Sequence, residues 1–526
     1  MILGIDTGGT NVDAVALDAT GIHGTAKVPN EETAESVEAV VSALGDEVGS
    51  LEVERAVVAT TLVVNAAVQG RLPDCTNVVI PGPGLAPERS FFGEENVVAA
   101  GAVDHRGRVT EEAAVDAVGE SGVTAITGKF SQRNPELERD IRDTLSPAEG
   151  SVALGNESGA GLTFPERAAT TVANARSKPV FATFSEAVSE GLSAAGIDAP
   201  VYYLKGDGSM LGVDAMHATP AHTVRGGSAA SSLGLIALTG VTEGIAVDIG
   251  GTTTDVTRIT GRFPDTEQNV SVGPLEPAYA GVVGRNLPVG GDTRVVVSEG
   301  GPTIGEERMG NAVAFGGPEP TLTDALHVLE VFTAGDVEAA RKALADVGAA
   351  DPERASQQVL DAFIERVGEA IASVSIESTE TLAVGGVLAP HLAPLLAEST
   401  EAVSQYAVPP HADVSGAVGC GVARVSVETA LHVDSARGVK TVTSVGPETV
   451  SEIEQGKRFT DAKARELAIE EAQAAAERAG GSRNDPAEVL GYDRFSVVER
   501  SRVAGQIIHA RARVEPAVER VFAGDE

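Results

Sequence analysis

The sequence predicts an α/β protein built as two related lobes around a shared cleft, with a small α+β module at its C-terminal end. Two observations carry this. One phrase is written twice: residues 4–17 read GIDTGGTNVDAVAL and residues 246–259 read AVDIGGTTTDVTRI, both giving D-x-G-G-T-x-x-D. Short β-branched runs also alternate with helical segments along most of the chain, which implies a parallel-rich sheet.

Each copy of the phrase follows an apolar run and leads into another, as a strand–tight turn–strand hairpin does. Asp6, Gly8, Gly9, Thr10 and Asp13 align with Asp248, Gly250, Gly251, Thr252 and Asp255 at an offset of 242 residues. Glycine lets a backbone approach a phosphate because no Cβ stands in the way. Successive N–H groups in such a turn form a concave anion site, to which Thr10 and Thr252 add hydroxyl donors. Asp6 and Asp248, ending the first strands, are the candidate Mg2+ ligands, holding the ion through water between themselves and phosphate oxygens. One copy alone reads as an ordinary Gly-rich hairpin; two in-register copies at lobe spacing do not. Asp13 and Asp255 either orient water or cap the hairpins, with the structural role favoured for Asp13.

The remaining elements follow in order. MILGID, VDAVAL, RAVVAT, NVVI and GVTAIT read as strands, alternating with helices at 33–48 and 135–145. Residues 163–196 read as a helix interrupted near Pro179. VYYL at 201–204 leads to KGDGSML, and GGSAASSLGLIAL at 226–238 is a glycine-led helix start ahead of the second hairpin. Residues 262–318, rich in Gly and Pro, are hairpins and loops. Val359, Phe363, Val367, Ile371 and Val374 recur at helical spacing within 353–376. TLAVGGVLAPHL then supplies a strand, a glycine pair and a helix start, and 414–434 reads as another helix. The tail carries a charged helix at 460–479 and extended apolar segments at 491–514. The resulting divisions are 1–160, 161–440 and 441–526.

The 526 residues include 76 acidic and 39 basic ones, only 8 of them lysine, for a net charge of −37. Nucleic acid is excluded as a partner, since its phosphates would be repelled. The acidity is spread along the chain, which suits solubility in high salt, where screening cuts electrostatic range to about 3 Å. Cys75 and Cys420 fit neither a disulfide framework nor a metal pattern. His217 and His222 form a loop pair of a kind that is seldom a metal site. The chain opens directly on a buried-strand pattern, and no stretch is long and apolar enough to span a bilayer. A cytoplasmic protein is the expectation.

With these residues in place, the chain resembles the hydantoinase/oxoprolinase family, A subunit, over roughly residues 1–435. ATTLVVNAAVQGR at 59–71 resembles that family's G-T-T-x-x-x-N-A segment through Thr60, Thr61 and Asn65. FSQRNPELE at 130–138, LKGDGSML at 204–211, GGSAAS at 226–231 and GGPEPTLTDA at 316–325 are similar to further family segments in the same order. The resemblance implies two duplicated ribonuclease H-like lobes of the actin-like ATPase fold, with ATP and Mg2+ bound between them. It implies an adenosine site at the glycine pair Gly385 and Gly386 of AVGGVLAPHL.

The activity implied is ATP-dependent activation of a cyclic amide or related carbonyl by phosphorylation, followed by ring opening. A B-type hydantoinase subunit is implied as partner, within an oligomer. Asp6, Asp248, Asp255, Thr61 and Asn65 become the candidate catalytic residues, with Thr61 and Asn65 on the substrate side or else capping a helix. Three segments depart from the family pattern: VGGDTRV at 289–295, with Asp292 and Arg294, IGEERMGNA at 304–312, and D-G-S in place of D-G-G. These loops are expected to face the substrate, though Arg294 reads more readily as a surface residue. Two alternatives stay open: a nucleotide-switched regulatory or assembly ATPase, and a small-molecule kinase or ATP-dependent carboxylase component.

Overall fold

The computed structural model describes residues 1–116, 122–148, 150–308, 310–347, 351–376, 380–446 and 448–523. Met309, within the divergent segment 304–312, lies outside the described residues.

The repeated phrase forms the same hairpin twice. Ile2–Thr7 pairs antiparallel with Asn11–Asp18 and parallel with Arg55–Thr60. Gly244–Ile249 likewise pairs antiparallel with Thr254–Thr260 and parallel with Glu380–Gly385. The first strand of each pair is buried at every position except the aspartate, Asp6 in one and Asp248 in the other. Hydrogen-bonded neighbours on both sides and a core on both faces explain why these strands are almost wholly apolar.

The lobes meet through two helices of small residues. Gly226–Thr239 and Ser415–Val422 cross so closely that a Cβ on Gly234 would stand 1.8 Å from the Ser415 carbonyl oxygen, and one on Gly419 1.8 Å from that of Ala230. Helix Ser415–Val422 packs on the first sheet, where a Cβ on Gly4 would lie 2.1 Å from the Ala417 carbonyl. Helix Gly226–Thr239 reaches the second hairpin through Ser231. Only glycine permits such backbone-to-backbone contact.

Four expectations change. NVVI and GVTAIT do not join the first sheet; they lie in a separate parallel sheet ordered Val152–Leu154, Val123–Gly128, Cys75–Ile80, Glu95–Val98. Its own core of Val78, Ile80, Ile126, Leu137 and Ile141 explains the separation. Helix Phe164–Ala194 runs through Pro179 without a break. The proline costs about 3 kcal/mol. Burial of Phe181, Phe184, Val188 and Leu192 beyond it, at about 1.5–3 kcal/mol each, offsets this.

Residues 414–434 are not one helix. The helix ends at Val422, and Glu428–Asp434 is a strand. Val425, Val427, Thr429, Leu431 and Val433 fall at alternate positions, a period of two. That strand lies in the C-terminal sheet, ordered Thr449–Glu452, Val439–Thr443, Glu428–Asp434, Arg502–Val514, Ala487–Glu499. The sheet therefore begins ahead of residue 441, and Ala464, Ala468 and Ala472 of helix Asp461–Arg478 pack into its core. No helix among the described residues is long and apolar enough to cross a membrane.

Candidate functional site

Both hairpins turn the same way. The Gly8 N–H donates to the Asn11 carbonyl at 3.0 Å, and the Gly250 N–H donates to that of Thr253 at 2.9 Å. A Cβ on Gly8 or Gly250 would sit 3.2 or 3.1 Å from the same carbonyl oxygens, so the two turns match in tightness. Both turns open onto one cavity of about 870 Å³, which Gly8, Gly9 and Thr10 line from one lobe and Gly250, Gly251 and Thr252 from the other. The two glycine turns therefore line one cleft from opposite lobes, an arrangement that suits a polyanion.

Four carboxylates stand beneath the turns. Asp6 lies opposite Asp13 and Asp248 opposite Asp255 in their respective ladders. Burial pushes the Asp6 carboxyl up to about 7, with Asp13 and Asp248 adding repulsion. Asp248 rises to about 6 by burial, against the Ser231 hydroxyl that donates to it at 2.5 Å. Burial also raises Asp255, which accepts from Ser228 at 2.7 Å and Asn286 at 2.9 Å. Asp13 accepts from Lys27 at 2.7 Å, which supports a structural role for it.

Hard carboxylate oxygens that resist ionisation beside one another fit a hard dication. Among the described residues no group of three or more His, Cys, Asp or Glu is placed to hold a metal, so Mg2+ would need phosphate oxygens and water to complete its shell.

At the second-lobe end, Gly386 lines the cavity with φ +93, and a Cβ there would lie 2.1 Å from the Ile249 carbonyl. Gly385 does not line it. Gly385 backs Asp248 instead, where a Cβ would meet Oδ1 at 3.1 Å. Val387 and Phe315 are about half exposed here, 53% and 49%, beside Leu388 and Phe332. This apolar slot suits a planar base, and neither phenylalanine stands in a motif that would have marked it.

At the first-lobe end, Thr61 and Asn65 both line the cavity, joined by a 3.2 Å bond from Asn65 Nδ2 to Thr61 Oγ1. Thr61 precedes helix Leu62–Val68 without capping its backbone, and its side chain engages the helix only through Asn65. Sequence reasoning missed Arg225, Ser228, Ser231 and Asn286, which line the same cavity.

The divergent loops divide. Asp292 reaches the cavity and supports the second turn: its N–H donates to the Gly251 carbonyl at 2.7 Å. Arg294 does not line the cavity and pairs with Glu319 and Glu307. The D-G-S loop does not line it either, because Asp207 folds back on Lys205 and Ser209. His222 stacks on Tyr279 and His217 bonds Ser185, both occupied structurally.

Comparison with known proteins agrees with this geometry. The family model described as Hydantoinase/oxoprolinase matches residues 167–429, and that described as its N-terminal region matches residues 2–148. Among solved structures, the nucleotide-free acetone carboxylase, from work on ATP-dependent acetone carboxylation, superposes with a TM-score of 0.71 at 16% identity, covering 99% of this chain and 88% of that one. An ATP-dependent caprolactamase from Pseudomonas jessenii superposes at 0.64 and 17% identity, covering 98% and 87%. No curated protein matches the sequence significantly. The chain shares the fold of these two structures over nearly its whole length.

Proposed function

The chain belongs to the hydantoinase/oxoprolinase family, and we propose that it is an ATP-dependent enzyme that phosphorylates the carbonyl oxygen of a cyclic amide or related compound. One observation carries the reading: two glycine hairpins with matched turns and paired carboxylates face each other across a cavity that both lobes line. Acetone and caprolactam, for which the two structural neighbours are named, are both carbonyl compounds, which supports the substrate class.

In this reading the hairpin amides of Gly8–Thr10 and Gly250–Thr252 hold the phosphates of ATP. Asp6 and Asp248 hold Mg2+, which neutralises phosphate charge when bound. Gly386, Val387 and Phe315 receive the adenosine. Amide resonance makes a lactam carbonyl a poor electrophile, and O-phosphorylation turns its oxygen into a leaving group. Asn65 and Thr61 orient the acceptor by hydrogen bonds, so that catalysis rests on positioning and charge neutralisation. Asp255, fixed by Ser228 and Asn286, is placed to orient the acceptor or a water. Completion of hydrolysis is assigned to a B-type partner subunit.

The test is ATP turnover against cyclic amides, ketones and polyols in high salt, with and without a B-type subunit. Stimulation by a cyclic amide, lost in Asp248→Ala, supports the reading. Turnover that no carbonyl compound stimulates under either condition contradicts it and favours a nucleotide-switched assembly protein.

A further inference from the structure

Two arginines line the cavity without an ion pair among the described residues, the exposed Arg285 and the less exposed Arg225. In a chain of net charge −37, the Arg225 Nη1 donates to the Val282 carbonyl at 2.8 Å and leaves the other guanidinium donors free. Among the described residues it is also the one lining the cavity, other than glycine, with φ in the left-handed region, at 65°.

Its place lies between the two ends of the site. Ser228, three residues on, donates to Asp255 of the second hairpin. Asp255 senses the Arg225 charge, which partly opposes the effect of burial on its carboxyl. Gly227 abuts the opposite wall, where a Cβ would lie 3.2 Å from Thr61 Cγ2. The residues that follow Arg225 therefore touch both the second hairpin and the wall that carries Thr61.

We propose that Arg225 is a catalytic residue whose guanidinium contacts the phosphoryl group during transfer, an inference that rests on the ATP reading above. The acceptor oxygen forms a bond to phosphorus as the bond from phosphorus to the β–γ bridging oxygen breaks. ADP departs with that electron pair. The guanidinium keeps its protons throughout and offsets charge on the equatorial oxygens, a contribution of the kind electrostatic preorganisation makes.

Binding of Mg2+·ADP, alone and with aluminium fluoride as a mimic of the phosphoryl group in flight, tests this in the full chain. Arg225→Gly tolerates the left-handed backbone, so folding is preserved. The variant is expected to bind Mg2+·ADP as the wild type does, while the tightening produced by aluminium fluoride falls by about a hundredfold or more. Added guanidinium restores it, and Arg225→Lys, lacking the planar fork, restores it only in part. Full tightening in Arg225→Gly, or none in the wild type, overturns the proposal. Failure of the wild type to bind Mg2+·ADP at all defeats the ATP reading instead.

Discussion

Asp6 rests directly on Gly416: a Cβ at residue 416 would stand 2.0 Å from Asp6 Oδ2. Asp248 has a looser counterpart in Gly385, where a Cβ would stand 3.1 Å from its Oδ1. Each lobe therefore sets its strand-end carboxylate against a backbone that carries no side chain, which fixes where that carboxylate points.

Gly416→Ala should displace the Asp6 carboxylate while leaving the apolar cores untouched. Affinity for Mg2+·ADP, measured by calorimetry, is expected to fall by about tenfold or more, as for loss of about 1.4 kcal/mol. Unchanged affinity would mean that the position of Asp6 does not matter for binding.

Stability of the free protein should fall as pH rises. Asp6 is raised to about 7 from 3.8 and Asp248 to about 6. Between those limits the folded state binds more protons than the unfolded one, so the contribution is full below about pH 3.8 and lost as pH rises through about 7. Thermal melts from about pH 8 down to about pH 6 should show increasing stability from these groups, and Asp6→Asn should reduce the slope. An identical pH profile in Asp6→Asn would refute the assignment.

Gly419→Ala should disrupt the crossing of the central helices. The added methyl meets the Ala230 carbonyl at 1.8 Å, a backbone atom that cannot swing aside. A loss of about 3 kcal/mol is expected in denaturant unfolding, the upper part of the usual overpacking range. A loss within the error of the measurement would show that the helices separate freely.

Salt should stabilise the chain. With 76 acidic and 39 basic residues, self-repulsion opposes the compact state. Raising salt to about 1 M contracts the screening length to about 3 Å and should raise the melting temperature. A melting temperature that stays flat or falls would detach the composition from salt adaptation.

Local patterns were the legible part of this sequence. The repeat located Asp6, Asp248 and both turns because each hairpin is set by a few adjacent residues. Of the glycine pair expected at an adenosine site, only Gly386 lines the cavity, since Gly385 lies behind Asp248. Long-range partners stayed hidden. Ser231 approaches Asp248, and Gly416 approaches Asp6, only because two helices cross between the lobes. Phe315 reaches the slot from the one-turn helix Val313–Phe315 and Phe332 from a bend, neither with a periodic signal. Pro179 misled for a related reason, as tertiary burial on both sides overrode a local breaker.

The most direct test of the account follows the oxygen atom. A cyclic amide carrying a heavy-oxygen label on its carbonyl is turned over with ATP, Mg2+ and a B-type subunit, and the released phosphate is analysed by mass. Phosphorylation of the carbonyl oxygen predicts that the label passes into the phosphate. Substrate-dependent turnover that releases unlabelled phosphate would contradict it.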